Sequence, residues 1–381
     1  MADLSPEHIA LQDLAREFAQ GEIAPHCREW NRAKHVSVET LRKMGQLGFF
    51  GMLVPENEGG SGLGLLGLCI AMEEIAAADA GTSAGLATQA SLGVNPLLSF
   101  ANADQKQRWL EPFVNGEKLA SYALTEPGHG SDTANLLTGA AETDDGYVID
   151  GSKIWITNGG FADVFIVFAR SDGPGAKGIS AFIVEKDDGV GVSREISKMG
   201  LHSSSTVELS FDGVVIPSDR LLGDRGHGLK IALSTLDSGR AVVASQAVGI
   251  ARAALTVAVD YAAQRNAFGG PIARFQGVQF PIAEVSAKID AARLLTHEAA
   301  RTRDAGRSCT EIGAKAKLFA SAVAVEAANV AVQTLGGYGY SSEYPAERLY
   351  RDAKITQLYE GTSEVQRLVI GRRLFGDAAR A

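Results

Sequence analysis

The spacing of apolar residues changes character twice along the chain. In residues 1–120, apolar positions recur every three or four residues, as with Leu11, Leu14 and Phe18, and this predicts helices that share one apolar face. Ser5 directly before Pro6 predicts where the first helix begins, because serine can cap free amides and proline suits the first helical position. Residues 1–120 are therefore predicted to form an all-helical domain.

Residues 121–228 have a different texture, with short runs rich in β-branched and aromatic residues separated by glycines and polar turns. In the run TVELSF, Val207, Leu209 and Phe211 alternate with polar residues, which is the pattern of a half-buried strand. The runs ADVFIVFAR and ISAFIV are of the same kind. Because these strands do not alternate with helices, the pattern favours an antiparallel, barrel-like β domain over a doubly wound sheet.

Helical spacing returns in residues 229–381, where Ile282, Val285, Ile289 and Ala292 would share one face of a helix. An alanine-rich stretch over residues 314–332 can pack closely against neighbouring helices. This last part is therefore predicted to be a helical bundle. The whole chain is predicted to be a multidomain α+β protein in which helices, then strands, then helices follow one another.

Composition and charge narrow the classes of function. The 381 residues carry a net charge of −9, and no run of lysine and arginine could follow a nucleic-acid backbone or an anionic membrane. The three cysteines lack the spacing of a disulfide framework or a metal site. The N-terminus mixes acidic and apolar residues, unlike a secretory or mitochondrial address, and no apolar run of transmembrane length is evident. A cytoplasmic protein is expected.

Gly62, Gly64 and Gly67 match the spacing GxGxxG, which in some proteins binds a dinucleotide pyrophosphate. That function requires a strand before the glycines and a helix after them, within a βαβ unit. Here the glycines lie between helical segments, so we interpret them as an ordinary loop.

Two segments combine glycine, hydroxyl and aromatic residues in ways that core packing does not require. In YALTEPGHGSD (122–132), proline and glycines force a turn that can present Thr125 and Ser131 to an anion or a heterocycle. In KIWITNGG (153–160), Trp155 and Thr157 would face the same side of a strand.

Two more such segments lie near the C-terminus. In QTLGGYGY (333–340), Gly336 and Gly337 are predicted to end a helix and to permit a close backbone approach. LYEGTSEVQR (358–367) places Glu360 before a glycine and two hydroxyl residues.

Together these four segments strongly resemble the acyl-CoA dehydrogenase family, above all its short-chain, butyryl-CoA members. The resemblance extends over nearly the whole chain, through KMGLHSSSTVEL, TLDSGR, RNAFGGPIARFQGVQF and EYPAERLYRDAKI. It implies a helical N-terminal domain, a middle antiparallel β domain and a C-terminal four-helix bundle, with FAD as cofactor and no metal. It also implies a homotetramer, a dimer of dimers, in which a neighbouring subunit holds much of each FAD.

The resemblance assigns Glu360 as the base that removes the α proton of an acyl thioester, while FAD supplies the electron sink. A desolvated site would raise the pKa of this carboxyl and make it a stronger base. The alternative is that Glu360 merely caps the helix expected near Thr362 or Ser363. Some family members carry the base just before the active-site arginine, but here Gly239 precedes Arg240.

The remaining site residues are also implied by the resemblance. Without the resemblance, Trp155 would be interpreted as a core residue and Arg265 as a solvated surface charge. The thioester carbonyl would accept hydrogen bonds from the Glu360 N–H and from the ribityl chain of FAD. The implied FAD contacts are Tyr122, Leu124, Thr125, Gly130, Ser131, Trp155, Ile156, Thr157, Arg265, Phe268, Gln276, Gln333, Gly336, Gly337, Thr362 and Glu364, and the implied substrate contacts are Ser131, Asp237, Arg240 and Gly361.

His129 departs from the family pattern, which has a small residue or asparagine at that position. One interpretation is a loop histidine that points to solvent. The other is a contact to a phosphate group, which would make ligand binding depend on pH.

The predicted function is FAD-dependent oxidation of a short straight or branched acyl-CoA to the trans-2-enoyl-CoA in fatty acid β-oxidation. Electron-transfer flavoprotein is the expected acceptor. Two alternatives stay open: the same chemistry on an acyl group bound to a carrier protein, and a flavoprotein scaffold without turnover. An oxidase is disfavoured because the chain lacks the extra C-terminal domain of acyl-CoA oxidases. Chain length and branching of the acyl group do not follow from the sequence.

Overall fold

The computed structural model describes residues 4–379, and its N-terminal part is helical as predicted. The first helix begins at Pro6, and the Ser5 hydroxyl accepts a hydrogen bond from the His8 amide. Its buried face carries Leu11, Ala15 and Phe18, whereas Leu14, expected on that face, is 40% exposed. The helices are α1 (Pro6–Phe18), α2 (Cys27–Ala33), α3 (Val38–Gln46), α4 (Gly64–Ala78), α5 (Ala80–Ala87), α6 (Asn95–Phe100), α7 (Ala103–Gln105) and α8 (Glu111–Val114), with π-helical turns at Ala19–Ile23, Thr88–Val94 and Lys106–Leu110.

The middle part forms one sheet in the order β6-β7-β3-β2-β4-β5-β8, with β1 alongside β4. Most neighbours are antiparallel, as predicted, but β1 runs parallel to β4 and β2 touches β4 in parallel, so the sheet is mixed. Val207, Leu209 and Phe211 face a core between the strands, as their alternation predicts. The strands are β1 (Ala120–Ala123), β2 (Gly139–Thr143), β3 (Gly146–Thr157), β4 (Val164–Arg170), β5 (Ile179–Glu185), β6 (Gly191–Val192), β7 (Thr206–Ile216) and β8 (Leu221–Leu222).

Long helices dominate the C-terminal part, and α4 of the N-terminal part joins their core. Val285, Ile289 and Ala292 are buried on one face, with Ile282 partly buried beside them, as predicted. Gly249 lies on α9 (Gly228–Gln264), where a Cβ would overlap the backbone of α4. Glycine at this position therefore lets α9 and α4 approach closely. The elements are α9 (Gly228–Gln264), the hairpin β9 (Asn266–Ala267) and β10 (Gly270–Pro271), α10 (Gln276–Asp304), α11 (Thr310–Leu335), α12 (Pro345–Ile355) and α13 (Ser363–Phe375).

Two segments, α9 and the run Thr310–Tyr340, are long and apolar enough to cross a membrane by length and composition alone. The expectation that no apolar run has transmembrane length is therefore wrong, because single charged residues within these helices break up runs that are apolar on average. Their most apolar stretches are 67% and 44% buried within the protein. The two helices are packed core helices in this fold.

The GxGxxG loop proves to be a contact between the two helical parts. Helix α4 begins at Gly64, and the amides of Leu65 and Leu66 donate to the two carboxylate oxygens of Asp304 at 2.7 and 2.9 Å. A Cβ on Gly64 would overlap that carboxylate. The helix N-terminus is thus capped by a carboxylate from α10. Gly62 lies in a loop as predicted, but Gly64 and Gly67 belong to α4, so the interpretation of all three glycines as a loop is wrong.

Buried polar contacts hold α12 against the rest of the molecule. Arg348 pairs with Asp79 at 3.0 Å, and Asp352 accepts a hydrogen bond from the Leu201 amide at 2.7 Å. Asp79 also accepts from Ser203 at 2.6 Å. These contacts join all three parts of the chain and fix the end of α12, where the Glu360 loop starts.

Candidate active site

Glu360 lies in the short loop between α12 and α13, in an unusual backbone conformation. Its φ is 50°, and that of Gly361 is 90°, both in the left-handed region. This conformation is unfavourable for a residue that has a side chain, and it persists only when the surrounding structure fixes the backbone. Thr362 caps α13, since its hydroxyl accepts from the Val365 amide at 3.3 Å. Glu360 is therefore not the cap, which removes the alternative interpretation of this residue.

The carboxylate of Glu360 is set in a desolvated position. Its Oε2 is buried and has no hydrogen-bond partner among the described residues. Burial raises the pKa of Glu360 to about 7, although Lys317 and Arg240 act to lower it. An unpaired carboxylate with a pKa near neutral can both accept and release a proton under physiological conditions.

Helix α9 supplies one wall beside Glu360. Gly239 leaves the space that Oε2 occupies, and the next residue, Arg240, is buried. Arg240 donates to Asp237 at 2.5 Å, and Asp237 also accepts from the Thr310 hydroxyl at 2.7 Å. The structure thus groups Asp237 and Arg240, both predicted substrate contacts, close to the predicted base.

Strands β1 and β3 bring predicted FAD residues together, and Tyr122 of β1 is close enough to Glu360 to sense its charge. Tyr122 is buried, and burial together with the charge of Glu360 raises the pKa of its hydroxyl well above the usual value. The Ile154 amide donates to Thr125 O at 2.9 Å, and the Ser121 hydroxyl donates to Thr157 O at 2.6 Å. The predicted FAD segments around residues 122–125 and 154–157 therefore lie side by side.

Trp155 marks an irregularity in β3. Its φ is 62°, and the pairing with β7 shifts register between Lys153 and Ile156. The indole is 56% exposed, whereas Ile156 is buried in the sheet core. Leu124 is buried as well, so Ile156 and Leu124 could meet a cofactor only through their backbones. A strained backbone that presents an aromatic ring outward is typical of a ligand site.

An ion pair that the sequence did not reveal supports the turn over residues 126–129. Glu126 accepts from buried Lys153 at 2.8 Å and from the amides of Leu137 and Thr138 at 2.6 and 2.8 Å. Burial works to raise the pKa of Glu126, but Lys153 and these hydrogen bonds outweigh it and lower the pKa to about 2. The turn is therefore anchored, and Gly130 and Ser131 are exposed just beyond it.

His129 is more enclosed than a solvated loop residue. Backbone hydrogen bonds link it to Glu126 in both directions, at 3.1 and 3.3 Å. Its side chain is 20% exposed, and Nδ1 lies 3.6 Å from the Glu126 carboxylate. The interpretation as a residue pointing freely to solvent is therefore wrong, while a phosphate contact stays a hypothesis.

A second group of predicted FAD residues lines an open depression of about 590 Å³ on the helical part. It contains Arg265, Gly336 and Gly337, and the Arg265 guanidinium lies over the Tyr338 ring at 5.8 Å. Gly336 ends α11 at a φ of 59°, as predicted. Phe268, at the tip of the β9–β10 hairpin, is 89% exposed. The residues that line the depression do not include Glu360, Gly239, Arg240, Tyr122 or Lys317.

The other predicted FAD residues lie on helices and carry no special geometry of their own. Gln276 and Gln333 are exposed on α10 and α11. Thr362 is the cap of α13, and Glu364 pairs with Arg367 at 3.0 Å on the surface.

Sequence reasoning missed two residues near Glu360. Lys317 on α11 is buried, and its ammonium donates to backbone carbonyls beside Glu360. Ser91, in the π-helical turn, has a buried hydroxyl without a partner among the residues described, close to Gly239. The pair Lys315 and Lys317 in an alanine-rich helix was a usable signal for the first, because neighbours two apart cannot share an exposed face. Nothing in the sequence distinguished Ser91.

The chain was compared with known proteins. It matches the family models of the acyl-CoA dehydrogenase N-terminal, middle and C-terminal domains over residues 5–117, 121–214 and 226–375. It is 45% identical over 374 residues to the mitochondrial short-chain specific acyl-CoA dehydrogenase of Mus musculus, covering 98% of this chain and 91% of that protein.

Solved structures agree with these matches. Butyryl-CoA dehydrogenase from Megasphaera elsdenii has a TM-score of 0.96 at 43% identity, covering 98% of this chain and 100% of that chain. A chain in a structure of the electron transferring flavoprotein of Acidaminococcus fermentans has a TM-score of 0.97 at 44% identity, covering 99% and 100%.

Fold and site together define an FAD-dependent oxidoreductase that acts on CH–CH bonds. The chain belongs to the acyl-CoA dehydrogenase family. The predicted fold class and the resemblance to short-chain members are both confirmed.

Proposed function

We propose that this enzyme oxidises short-chain acyl-CoA to trans-2-enoyl-CoA, with Glu360 as the base that removes the α proton. The observation that carries the proposal is the buried, unpartnered Oε2 of Glu360. A buried carboxylate oxygen without a donor is costly in a folded protein and calls for a functional reason. Proton abstraction from a bound thioester is such a reason.

The residues around Glu360 suit this chemistry. A pKa of about 7 leaves much of Glu360 ionised at neutral pH, yet basic enough to take a weakly acidic proton. We assign Asp237, Arg240, Gly361 and Ser131 to the CoA thioester, because Arg240 acts on the charge of Glu360 and pairs with Asp237. The Glu360 amide would donate to the thioester oxygen, where negative charge develops as the α proton leaves.

The residues present also fit FAD, which when bound accepts the hydride that leaves the β carbon. Trp155, Thr157 and the segment over residues 122–131 form the wall that we assign to the flavin ring. The outward indole and its left-handed backbone support that assignment. Arg265, Phe268, Gln276 and residues 333–337 are assigned to the adenosine and pyrophosphate part.

We infer that two subunits share each FAD in a homotetramer. Within one protomer, neither Glu360 nor the residues around it line the depression beside Arg265. Large apolar side chains are also exposed on α10 and α13, which include Phe280 at 60%, Leu368 at 58% and Phe375 at 69%. Apolar surface of this kind is usually covered by another protein chain.

Electron-transfer flavoprotein is the proposed acceptor, supported by the likeness to a chain from the Acidaminococcus fermentans structure. A cytoplasmic location is also proposed, consistent with the three free cysteines. The specificity for short chains rests on the likeness to short-chain relatives.

Product analysis tests the proposed reaction. The holoenzyme is supplied with butyryl-CoA and an electron-accepting dye, and the thioester products are separated by mass. We expect trans-2-butenoyl-CoA, with a slower rate when both α hydrogens are deuterium. Turnover of a carrier-protein thioester but not of butyryl-CoA would favour the alternative substrate class.

A further inference from the structure

Lys317 lies in the first third of α11 and contacts the Glu360 loop. The residue is only 1% exposed. Its ammonium donates to Tyr359 O at 2.7 Å and to Gly361 O. These two carbonyls belong to the residues on either side of Glu360, so one cation holds the backbone before and after the base.

A backbone bond closes the loop further out, where the Ser363 amide donates to Gln357 O at 2.9 Å, but it does not hold the peptide groups directly beside Glu360. Gln366 also donates to Gly361 O, at 2.8 Å, and the Tyr359 hydroxyl donates to Gln246. Neither contact reaches both sides of Glu360. Left-handed backbone at Glu360 and Gly361 needs such restraint, because a relaxed loop would move the carboxylate and the amide of Glu360 together.

A buried ammonium is also an electrostatic element. Its two hydrogen-bond acceptors are neutral carbonyls, and the largest influence of opposite sign is the Glu360 carboxylate. Arg240 on α9 and Glu364 on α13 also act on Lys317, while Tyr122 and Tyr359 are the other titratable groups that sense Glu360. A fixed cation inside the protein favours the ionised form of a neighbouring acid.

We propose that Lys317 is a positioning residue for the reaction: it fixes the peptide groups on both sides of Glu360, and its charge keeps the base available in ionised form. This inference rests on the proposed function of Glu360. It assigns to α11 a part in catalysis, although Lys317 does not itself touch the reacting carbon atoms.

The direction in which the pKa of Glu360 should change when Lys317 loses its charge follows from the charges around it. Burial lowers the pKa of Lys317 to about 8, against the effect of Glu360. Burial raises the pKa of Glu360, and Lys317 is the larger of the two cationic influences that oppose it. Removal of the charge therefore raises the pKa of Glu360 further. The acid limb of the pH profile, where the base becomes protonated, should move to higher pH.

The test compares Lys317→Met, Lys317→Gln and Lys317→Arg with Lys315→Met, all as FAD-loaded enzyme. Lys315 lies two residues away on the same helix, is partly exposed, and pairs with Glu311 at 2.6 Å. Two properties are measured against pH. One is kcat/KM for butyryl-CoA. The other is the infrared carboxylic-acid band that disappears in Glu360→Gln, which reports the protonation of Glu360 without turnover.

For both neutral variants we expect the acid limb and the infrared midpoint to rise by about one pH unit, as removal of a nearby opposite charge does. Activity at pH 7 should fall about fivefold, because the ionised fraction of Glu360 drops from about one half to about one tenth. Lys317→Arg should keep both midpoints near those of the wild type with a lower kcat, and Lys315→Met should change neither. Should Lys317→Met not fold, Lys317→Gln gives the same comparison, because it keeps a donor without the charge.

Unchanged midpoints in the neutral variants would overturn the role of Lys317, even if activity fell. A midpoint in Lys317→Arg displaced as far as in Lys317→Met would overturn it as well. Failure of the proposed function looks different: the wild type would not oxidise butyryl-CoA, while the infrared titration would still decide the link between Lys317 and Glu360.

Discussion

Gly239 and Glu360 fit together as a pair, since Oε2 of Glu360 occupies the space that a side chain at position 239 would need. The two residues come from α9 and from the loop between α12 and α13. The absence of a side chain at position 239 is what lets the carboxylate lie buried and unpaired against the helix. This contact fixes the position of the carboxylate that we propose as the base.

Gly239→Ala should therefore displace the base while leaving the fold in place. The added methyl group would overlap Oε2, and a shift of about 1 Å in a reacting group can lower the rate about a hundredfold. We expect such a loss in kcat with normal FAD content, measured by steady-state kinetics. Gly371→Ala is the matched control, because a Cβ there meets open space. Equal kcat in both variants would show that the Gly239 gap does not position Glu360.

Glu360→Gln should lose activity and gain stability. The rate should fall at least about a hundredfold, the usual contribution of a general base. Since the folded pKa is raised from 4.5 to about 7, the acid contributes stability below pH 4.5 that is lost as pH rises through 7. The amide does not titrate, so its advantage in unfolding free energy should grow across this range, to about 3 kcal/mol at most.

Denaturant unfolding at several pH values measures this advantage. Glu39→Gln serves as the control, because the Glu39 side chain is 81% exposed on α3 and is assigned no part in the reaction. An advantage of Glu360→Gln that stays the same at pH 4.5 and 8 would contradict the raised pKa.

Much of the architecture followed from local patterns in the sequence. Ser5 and Pro6 marked the start of α1, and the alternation in TVELSF gave a strand with its apolar side buried. These features depend on neighbours within a few residues, so a sequence exposes them. The motif resemblance then implied Glu360 and Arg240 together, which the fold brings near each other from distant segments.

Features that depend on distant segments were not foreseen. Nothing local to β1 shows that it pairs in parallel with β4. Leu14 fits the helical spacing but lies at the rim of the buried face, where Ala15 takes the inner position. The left-handed backbone of Trp155 and Glu360 reflects tertiary contacts, since both residue types normally avoid it.

Loss of one partner of the Glu126–Lys153 pair should loosen the turn beside the flavin wall. Glu126→Gln or Lys153→Met leaves the other charge buried without its partner, which typically costs about 3–5 kcal/mol. We expect each single variant to unfold at lower denaturant concentration and to release FAD more readily. The double variant should cost less than the sum of the two, because it removes both charges.

A surface pair provides the reference for this cycle. Glu284→Gln breaks the exposed pair with Lys288 and should lower stability much less than either Glu126→Gln or Lys153→Met. Additive costs at Glu126 and Lys153 would show that the two charges do not depend on each other.

His297 should make the enzyme sensitive to acid. Burial lowers its pKa from 6.5 to about 4, with Glu73 acting in the opposite sense and Arg301, Arg293 and His8 in the same sense. Between pH 6.5 and 4 the unfolded chain binds more protons than the folded one, so stability is lost as pH falls. His297→Gln should flatten this part of the stability curve. If His297→Gln leaves the slope of stability against pH unchanged between pH 6.5 and 4, His297 is not the source of the acid sensitivity.

In the proposed reaction, Glu360 starts the oxidation of a short acyl-CoA by removing its α proton. The most direct measurement is an anaerobic titration of the FAD-loaded enzyme with butyryl-CoA, followed by the flavin absorbance, beside Glu360→Gln with equal FAD content. We expect the wild type to lose its oxidised flavin absorbance within the mixing time and the variant to keep it. Equal loss in both proteins, or none in the wild type with butyryl-CoA and a panel of longer and branched thioesters, would contradict the account.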